Sequence, residues 1–148
     1  GIAASKHPAV SVGLQKVRHT LKGIIEKGTF SINVPSASLA RQVDYCGIYS
    51  GARRDKSELF NIFYGALKTA PLIRECPVNL ECRVIHRLDL KSHELVIGEI
   101  FDTYVSEDCV TDEKPDPEKI DPLIYTPGVL KYQRLGEVVG KAFNMGKD

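Results

Sequence analysis

Two long alternating runs, at about 78–88 and 93–105, lie on either side of the polar residues Asp89, Lys91 and Ser92. Alternation with a period of two sends apolar side chains to one face and polar ones to the other, so this segment predicts a long β-hairpin. A hairpin of that length commits the chain to a core built on a sheet. Upstream, Val10, Val12 and Leu14 alternate after His7-Pro8, which predicts a strand over 8–15, and Phe30, Ile32 and Val34 predict another that stops at Pro35. Between them the period changes to that of a helix. Leu21, Ile24 and Ile25 share one face, Thr20 is a candidate N-cap and Gly28 a candidate terminator, giving a short helix over 20–27. Ser38 is placed to cap a second helix with Leu39, Val43 and Cys46 on one stripe. The fold class is mainly β with short helices (α+β), and 148 residues without internal repeats suit a single domain.

Composition narrows the partners. With 43% hydrophobic and 26% charged residues the chain can bury enough apolar surface to fold. Twenty Lys and Arg against 19 Asp and Glu leave a formal charge of +1, too small a field to draw nucleic acid or an anionic membrane as the main partner. No apolar run approaches the roughly 18–20 residues of a membrane span, and no secretory layout opens the chain. The expectation is a soluble, cytoplasmic protein with a small-molecule ligand. Four cysteines (Cys46, Cys76, Cys82, Cys109) without a CxxC pair argue for reduced structural thiols over a disulfide framework or a zinc site. The segment 106–122, with seven acidic residues and three prolines, reads as an exposed, irregular, acidic and proline-rich excursion.

Three clusters could carry chemistry. Lys16, Arg18 and Thr20 lie between a strand and the first turn of a helix, where unpaired N–H groups and the positive end of the dipole favour a phosphate; a solvated basic turn is the alternative. In SGARRDKS (50–57), Ser50, Gly51 and Lys56, with Arg53, Arg54 and Asp55, could hydrogen-bond a polar heterocycle or a ribityl chain, or form an ordinary salt-bridged surface loop. His93 stands beside the hairpin turn, where a lone histidine is more often structural than catalytic. Neither GxGxxG nor GxxxxGK[ST] occurs, so Rossmann and P-loop sites lack support, and no defensible nucleophile set is present. No catalytic residue and no metal ligand is assigned.

Taken in order, K-x-R-x-T, FSINVP, CGIYSGARRDKS, APLIRECPVNLECRV, SHELVIGEI and YQRLGEVVGKAF resemble the flavin reductase-like family over nearly the whole chain, most closely its flavoredoxin-type members. The resemblance implies a Greek-key split β-barrel that binds FMN, works as a homodimer and holds flavin near the subunit interface. It places phosphate contacts on Lys16, Arg18 and Thr20, and ribityl or ring contacts on Ser50, Gly51 and Lys56. It adds His93 and Tyr132 on the donor side, and Ser5 in the GIxxS-K-x-P stretch. A cation at Lys56 would favour the anionic reduced flavin.

The match begins at Gly1, so the family's first strand segment is expected to lie outside this chain. The activity implied is electron transfer from NAD(P)H or a redox protein through bound flavin to an acceptor, an NAD(P)H-dependent FMN oxidoreductase. The alternatives are a non-enzymatic electron carrier and a structural dimer that has lost flavin.

Overall fold

The hairpin is the longest feature of the computed structural model, which describes residues 1–147. Its arms are β6 (Val78–Leu90) and β7 (His93–Val105), joined by Lys91 and Ser92 alone. Lys91 takes a positive φ of 65°, a conformation that two-residue hairpin turns impose. The Asp89 carboxylate accepts the Lys91 N–H at 2.7 Å and closes the turn. Two register shifts interrupt the ladder, between Glu81 and Cys82 and between Val84 and His86, and bulges of this kind bend and twist a ribbon.

The other strands of this sheet are β1 (Ile2–Ala4), β2 (Ala9–Gln15) and β3 (Thr29–Val34). With them the hairpin forms an antiparallel sheet in the order β1-β2-β7-β6-β3. The alternating residues meet as expected: Val10, Phe30, Cys82 and Val96 are buried together, with Val12, Leu14, Ile32, Leu80, Val84 and Ile100 packed around them. Gly98 is required at the centre, because a Cβ there would run into the Phe30 ring.

Helix α1 (His19–Lys27) covers this core with Leu21 and Ile24. Ile25, expected on the same face, is 46% exposed, because one residue beyond Ile24 turns the side chain about 100° away. The helix begins one residue earlier than predicted. Arg18 is its N-cap, and Thr20 lies inside the first turn and does not cap it. At the other end Gly28 is left-handed (φ 67°) and donates its N–H to Ile24 O at 2.9 Å, the termination the glycine predicts. Helix α2 (Ala40–Ile48) follows a 3₁₀ turn (Ala37–Leu39), so Ser38 lies within that turn and Ser36 precedes it.

A small hairpin, β4 (Ile62–Tyr64) with β5 (Pro71–Ile73), is fixed to the sheet by buried polar groups. The Ile73 N–H donates to Asn33 Oδ1 at 3.0 Å and to Asn79 Oδ1 at 3.2 Å, and the Leu67 N–H donates to Glu81 Oε1 at 3.2 Å. Tyr104 donates its hydroxyl to Glu81 Oε2 at 3.2 Å, and Gly65 leaves the room these two side chains occupy. Buried polar groups carry a desolvation cost, so each must find a partner, and that need sets the position of β4–β5.

The segment 106–122 is not irregular. It folds as a 3₁₀ turn (Glu107–Cys109), a hairpin of β8 (Val110–Thr111) and β9 (Lys114–Pro115), and helix α3 (Pro117–Ile120). Most of its residues are exposed, as expected, but Cys109 and Ile120 are buried. The Asp116 side chain caps α3 by accepting the Glu118 N–H at 3.0 Å, with Pro117 opening the helix. The Ala37 N–H bonds Asp121 O and the Leu123 N–H bonds Pro35 O, tying the segment to the end of β3. A last hairpin pairs β10 (Ile124–Thr126) with β11 (Lys131–Gln133). No helix is long and apolar enough to cross a membrane among the described residues.

Candidate functional site

The start of α1 and the end of α2 meet around a cleft of about 260 Å³ lined by Leu14, Arg18, His19, Thr20, Cys46, Gly47, Tyr49, Ser50, Gly51 and Lys56. A wider depression of about 740 Å³ adjoins it, sharing His19, Thr20, Gly51 and Lys56 and adding Arg53, Arg54, Asp55 and Pro71 among others. Five of the residues selected from the sequence therefore stand together: Arg18, Thr20, Ser50, Gly51 and Lys56. Pro71 reaches the rim because the buried Asn79 and Glu81 hold the β4–β5 hairpin where it is.

The α1 side of the cleft is suited to an anion. The helix has no acidic residue in its first turn, and its N-cap Arg18 makes no side-chain capping bond. The first N–H groups of a helix lack intrahelical partners and sit at the positive end of the dipole. Arg18 adds a guanidinium at this point and Thr20 a hydroxyl.

The α2 side is closed by Lys56, whose Nζ donates to Cys46 O and to Tyr49 O, each at 2.9 Å. A cation on the last carbonyls of a helix satisfies orphan acceptors and complements the dipole. Lys56 thus fixes the turn that carries Ser50 and Gly51 while bringing a positive charge to the cleft wall. The loop then folds on Ser50, whose carbonyl accepts the N–H groups of Arg53 at 3.0 Å and Arg54 at 3.1 Å.

Arg54 lies over the Tyr49 ring at 4.7 Å and donates to the Tyr45 hydroxyl at 3.1 Å; Tyr45 and Tyr49 pack at 4.5 Å between centroids. The bond to Tyr45, followed by attraction from both tyrosines, raises the Arg54 pKa. Asp55 brings the one acidic side chain lining either cleft among the described residues, and it is already engaged: Oδ1 accepts both the N–H (2.9 Å) and the hydroxyl (2.7 Å) of Ser57. Those two bonds hold its carboxyl below the ordinary range. The field in both clefts is positive.

The remaining residues selected from the sequence lie elsewhere. Lys16 points toward the hairpin turn, where Nζ pairs with Asp89 Oδ2 at 2.7 Å. His93 opens β7 opposite Gln15, half-buried, its Nδ1 at 2.9 Å from the Ser92 hydroxyl. Tyr132, in β11, donates to Asp44 Oδ1 at 3.1 Å on α2 and packs on Tyr125. Ser5 is in the exposed turn between β1 and β2. None of the four lines either cleft.

Leu14, His19, Cys46, Gly47 and Tyr49 line the cleft without having been selected. His19 was detectable, since it sits between Arg18 and Thr20 at a helix start. The α2 residues belong to a C-terminal turn whose approach to α1 bridges some thirty positions, and no local pattern reports such an approach.

The antiparallel sheet, with α1 and α2 beside a positive cleft, carries these motifs in the order read from the sequence. A family model for the flavin reductase like domain matches residues 2–134, and the chain belongs to that family. Its architecture is the family's split β-barrel.

The chain is similar to a flavoredoxin from Methanosarcina acetivorans, with a TM-score of 0.97 and 41% identity over 99% of this chain and 79% of that one. It is also similar to the flavoredoxin of Desulfovibrio vulgaris, with a TM-score of 0.92 and 39% identity over 99% of this chain and 80% of that one. An uncharacterized protein of Archaeoglobus fulgidus is 36% identical over 109 residues, 72% of this chain and 60% of that protein. The chain spans about three fifths of the length of the curated relatives it matches, 60% and 62%.

Proposed function

We propose that this chain binds FMN and passes electrons through it from NAD(P)H or a redox protein to an acceptor. The observation that carries the reading is the convergence of Arg18, Thr20, Ser50, Gly51 and Lys56 on one cleft beside the uncapped start of α1. The donor set fits the cofactor's two ends. Arg18, Thr20 and the first-turn N–H groups suit a phosphate dianion. Ser50, the Gly51 backbone and Lys56 offer hydrogen bonds and a positive charge to a ribityl chain or ring.

Flavin, when bound, supplies the redox chemistry by accepting two electrons and releasing them singly or together. The side chains bind, orient and bias. Lys56, held by two carbonyls, is fixed in place, so its charge does not need to reorganise when negative charge develops beside it. None of the cleft residues needs to act as a nucleophile. Lys16, Ser5, His93 and Tyr132 enter this reading only as residues that a second copy or an added segment would bring to the flavin.

Homodimerisation is part of the proposal. Among the described residues the outer edge of β6 has no partner strand beyond Arg83, and Ile85, Leu88 and Leu90 on that arm are half exposed. Uncovered edges of this kind are normally paired or shielded. Sedimentation should give a dimer at micromolar concentration, and a monomer would count against this part.

The test of the function is direct. Purified protein titrated with FMN should quench flavin fluorescence with one site per chain, and Arg18→Ala should weaken binding about tenfold. Reduction of the bound flavin by NADH or NADPH under anaerobic conditions, faster than a free-flavin control, marks an oxidoreductase. Bound flavin that neither nucleotide reduces would mark an electron carrier, and no binding at all would overturn the reading.

A further inference from the structure

The wider cleft has a composition that flavin binding does not require. His19, Arg53, Arg54 and Lys56 face one acidic side chain, Asp55, and both bonds at its Oδ1 go to Ser57. Arg54 is fixed in place: the Tyr49 face and the Tyr45 hydroxyl hold its guanidinium at the junction with the narrower cleft. Arg53 differs. Its side chain makes no hydrogen bond or ion pair among the described residues, and its backbone is anchored to Ser50 O at 3.0 Å. A pre-set guanidinium beside an uncommitted one, in a depression of about 740 Å³, is a receptor for a compact, multiply charged anion attached to a small molecule.

Resting on the proposed flavin site, we propose that this depression recognises the 2′-phosphate of a phosphorylated dinucleotide, so that the electron donor is NADPH in preference to NADH. Arg53 and Arg54 engage the phosphate. The Tyr49–Arg54 stack offers a flat, cationic surface to the attached adenine, as guanidinium and aromatic faces do for heterocycles. The remainder of the donor would extend toward the adjoining cleft through the residues the two share, His19, Thr20, Gly51 and Lys56. An acidic protein is the less suited occupant, because protein partners dock on broad, nearly flat surfaces and these charges line a concave one.

The experiment uses probes that carry the phosphate but no nicotinamide. Adenosine 2′,5′-bisphosphate and adenosine 5′-monophosphate are titrated by calorimetry into the FMN-treated protein, with FMN affinity measured separately by fluorescence. The bisphosphate should bind at least about tenfold tighter, the effect of charge-assisted bonds to one added phosphate. Arg53→Ala, which removes no hydrogen bond or ion pair among the described residues, should reduce that ratio several-fold and leave FMN affinity unchanged, and NADP⁺ over NAD⁺ should follow the same pattern. Equal affinity for the two probes overturns the proposal, as does a ratio insensitive to both Arg53→Ala and Arg54→Gln. If Arg53→Ala weakens FMN in step with the bisphosphate, the arginines belong to the flavin site instead. If FMN does not bind but the probe ratio holds, the flavin reading fails and the 2′-phosphate site stands.

Discussion

The β6–β7 sheet and the 49–57 loop are held by opposite physics. In the sheet, Cys82 and Val96 are wholly buried, Gly98 is packed under Phe30, and position is set by apolar burial and shape. In the loop nearly every side chain is exposed, and position is set by a few directed bonds, from Lys56 to two carbonyls, from Arg54 to a tyrosine pair and from Ser57 to Asp55. The sheet should therefore respond to substitution with loss of stability, and the loop with loss of ligand affinity. A ligand site assembled on the second kind of region, fixed against the first, can vary its ligand without redesigning the core.

The largest expected effect lies in the sheet. Gly98→Val places a branched side chain where the Phe30 ring is, and should lower stability by about 3 kcal/mol in urea unfolding. Adding Phe30→Leu should return part of that loss, because the smaller side chain vacates the space; no recovery would show that the clash is not the cause.

The second prediction concerns alkaline pH. Burial pushes the thiols of Cys76 and Cys82 up to about 11, with smaller contributions from Glu75 and Glu81. Above about pH 9 the unfolded chain loses these protons while the folded chain keeps them, so stability falls as pH rises through 9 to 11, on the order of 2 kcal/mol per thiol. Denaturation of Cys82→Ala with Cys76→Ala across this range should show a flatter pH profile than wild type, and an identical slope would refute the assignment.

In the loop, Lys56→Met should cost only about 1 kcal/mol of stability, through the two carbonyls left unpartnered, while FMN affinity falls about tenfold. A stability loss with unchanged affinity would make Lys56 a helix cap and nothing more.

The smallest effect is expected at Lys16→Ala. Its pair with Asp89 is exposed, at 41% and 68% for the two side chains, and solvent screening leaves such pairs little effect on stability. FMN affinity should stay within about twofold, whereas a tenfold loss would show that Lys16 leaves Asp89 for the phosphate.

The same contrast separates what the amino-acid sequence shows from what it hides. The core strands were legible because burial on one face of a sheet imposes a period of two on Val10–Leu14, on Phe30–Val34 and on both arms of the hairpin. Gly28 as a helix end followed from its tolerance of positive φ. The N-cap was not legible: Thr20 has the right chemistry, but the chain turns helical at His19, which makes Arg18 the cap. Residues 106–122 looked irregular because proline and acid content describe exposure, and the burial of Cys109 and Ile120 that organises the segment depends on contacts made with the rest of the fold. Among the candidate ligands, Arg18 and Thr20 were set by local position at a helix start. Lys16 carried the same charge, but an aspartate 73 positions away in sequence captures it.

The sequence by itself determined the long hairpin, the strands at 8–15 and 30–34, the two short helices and the positively charged segments at 16–20 and 50–57. Periodicity and turn chemistry are local, and a linear sequence records them. Only the tertiary structure decided that the start of α1 and the end of α2 share one cleft, that Lys56 closes it and that Arg53 and Arg54 open onto a second depression. Those arrangements arise from packing between distant segments and from the demand that each buried polar group find a partner, and neither leaves a pattern in the order of residues.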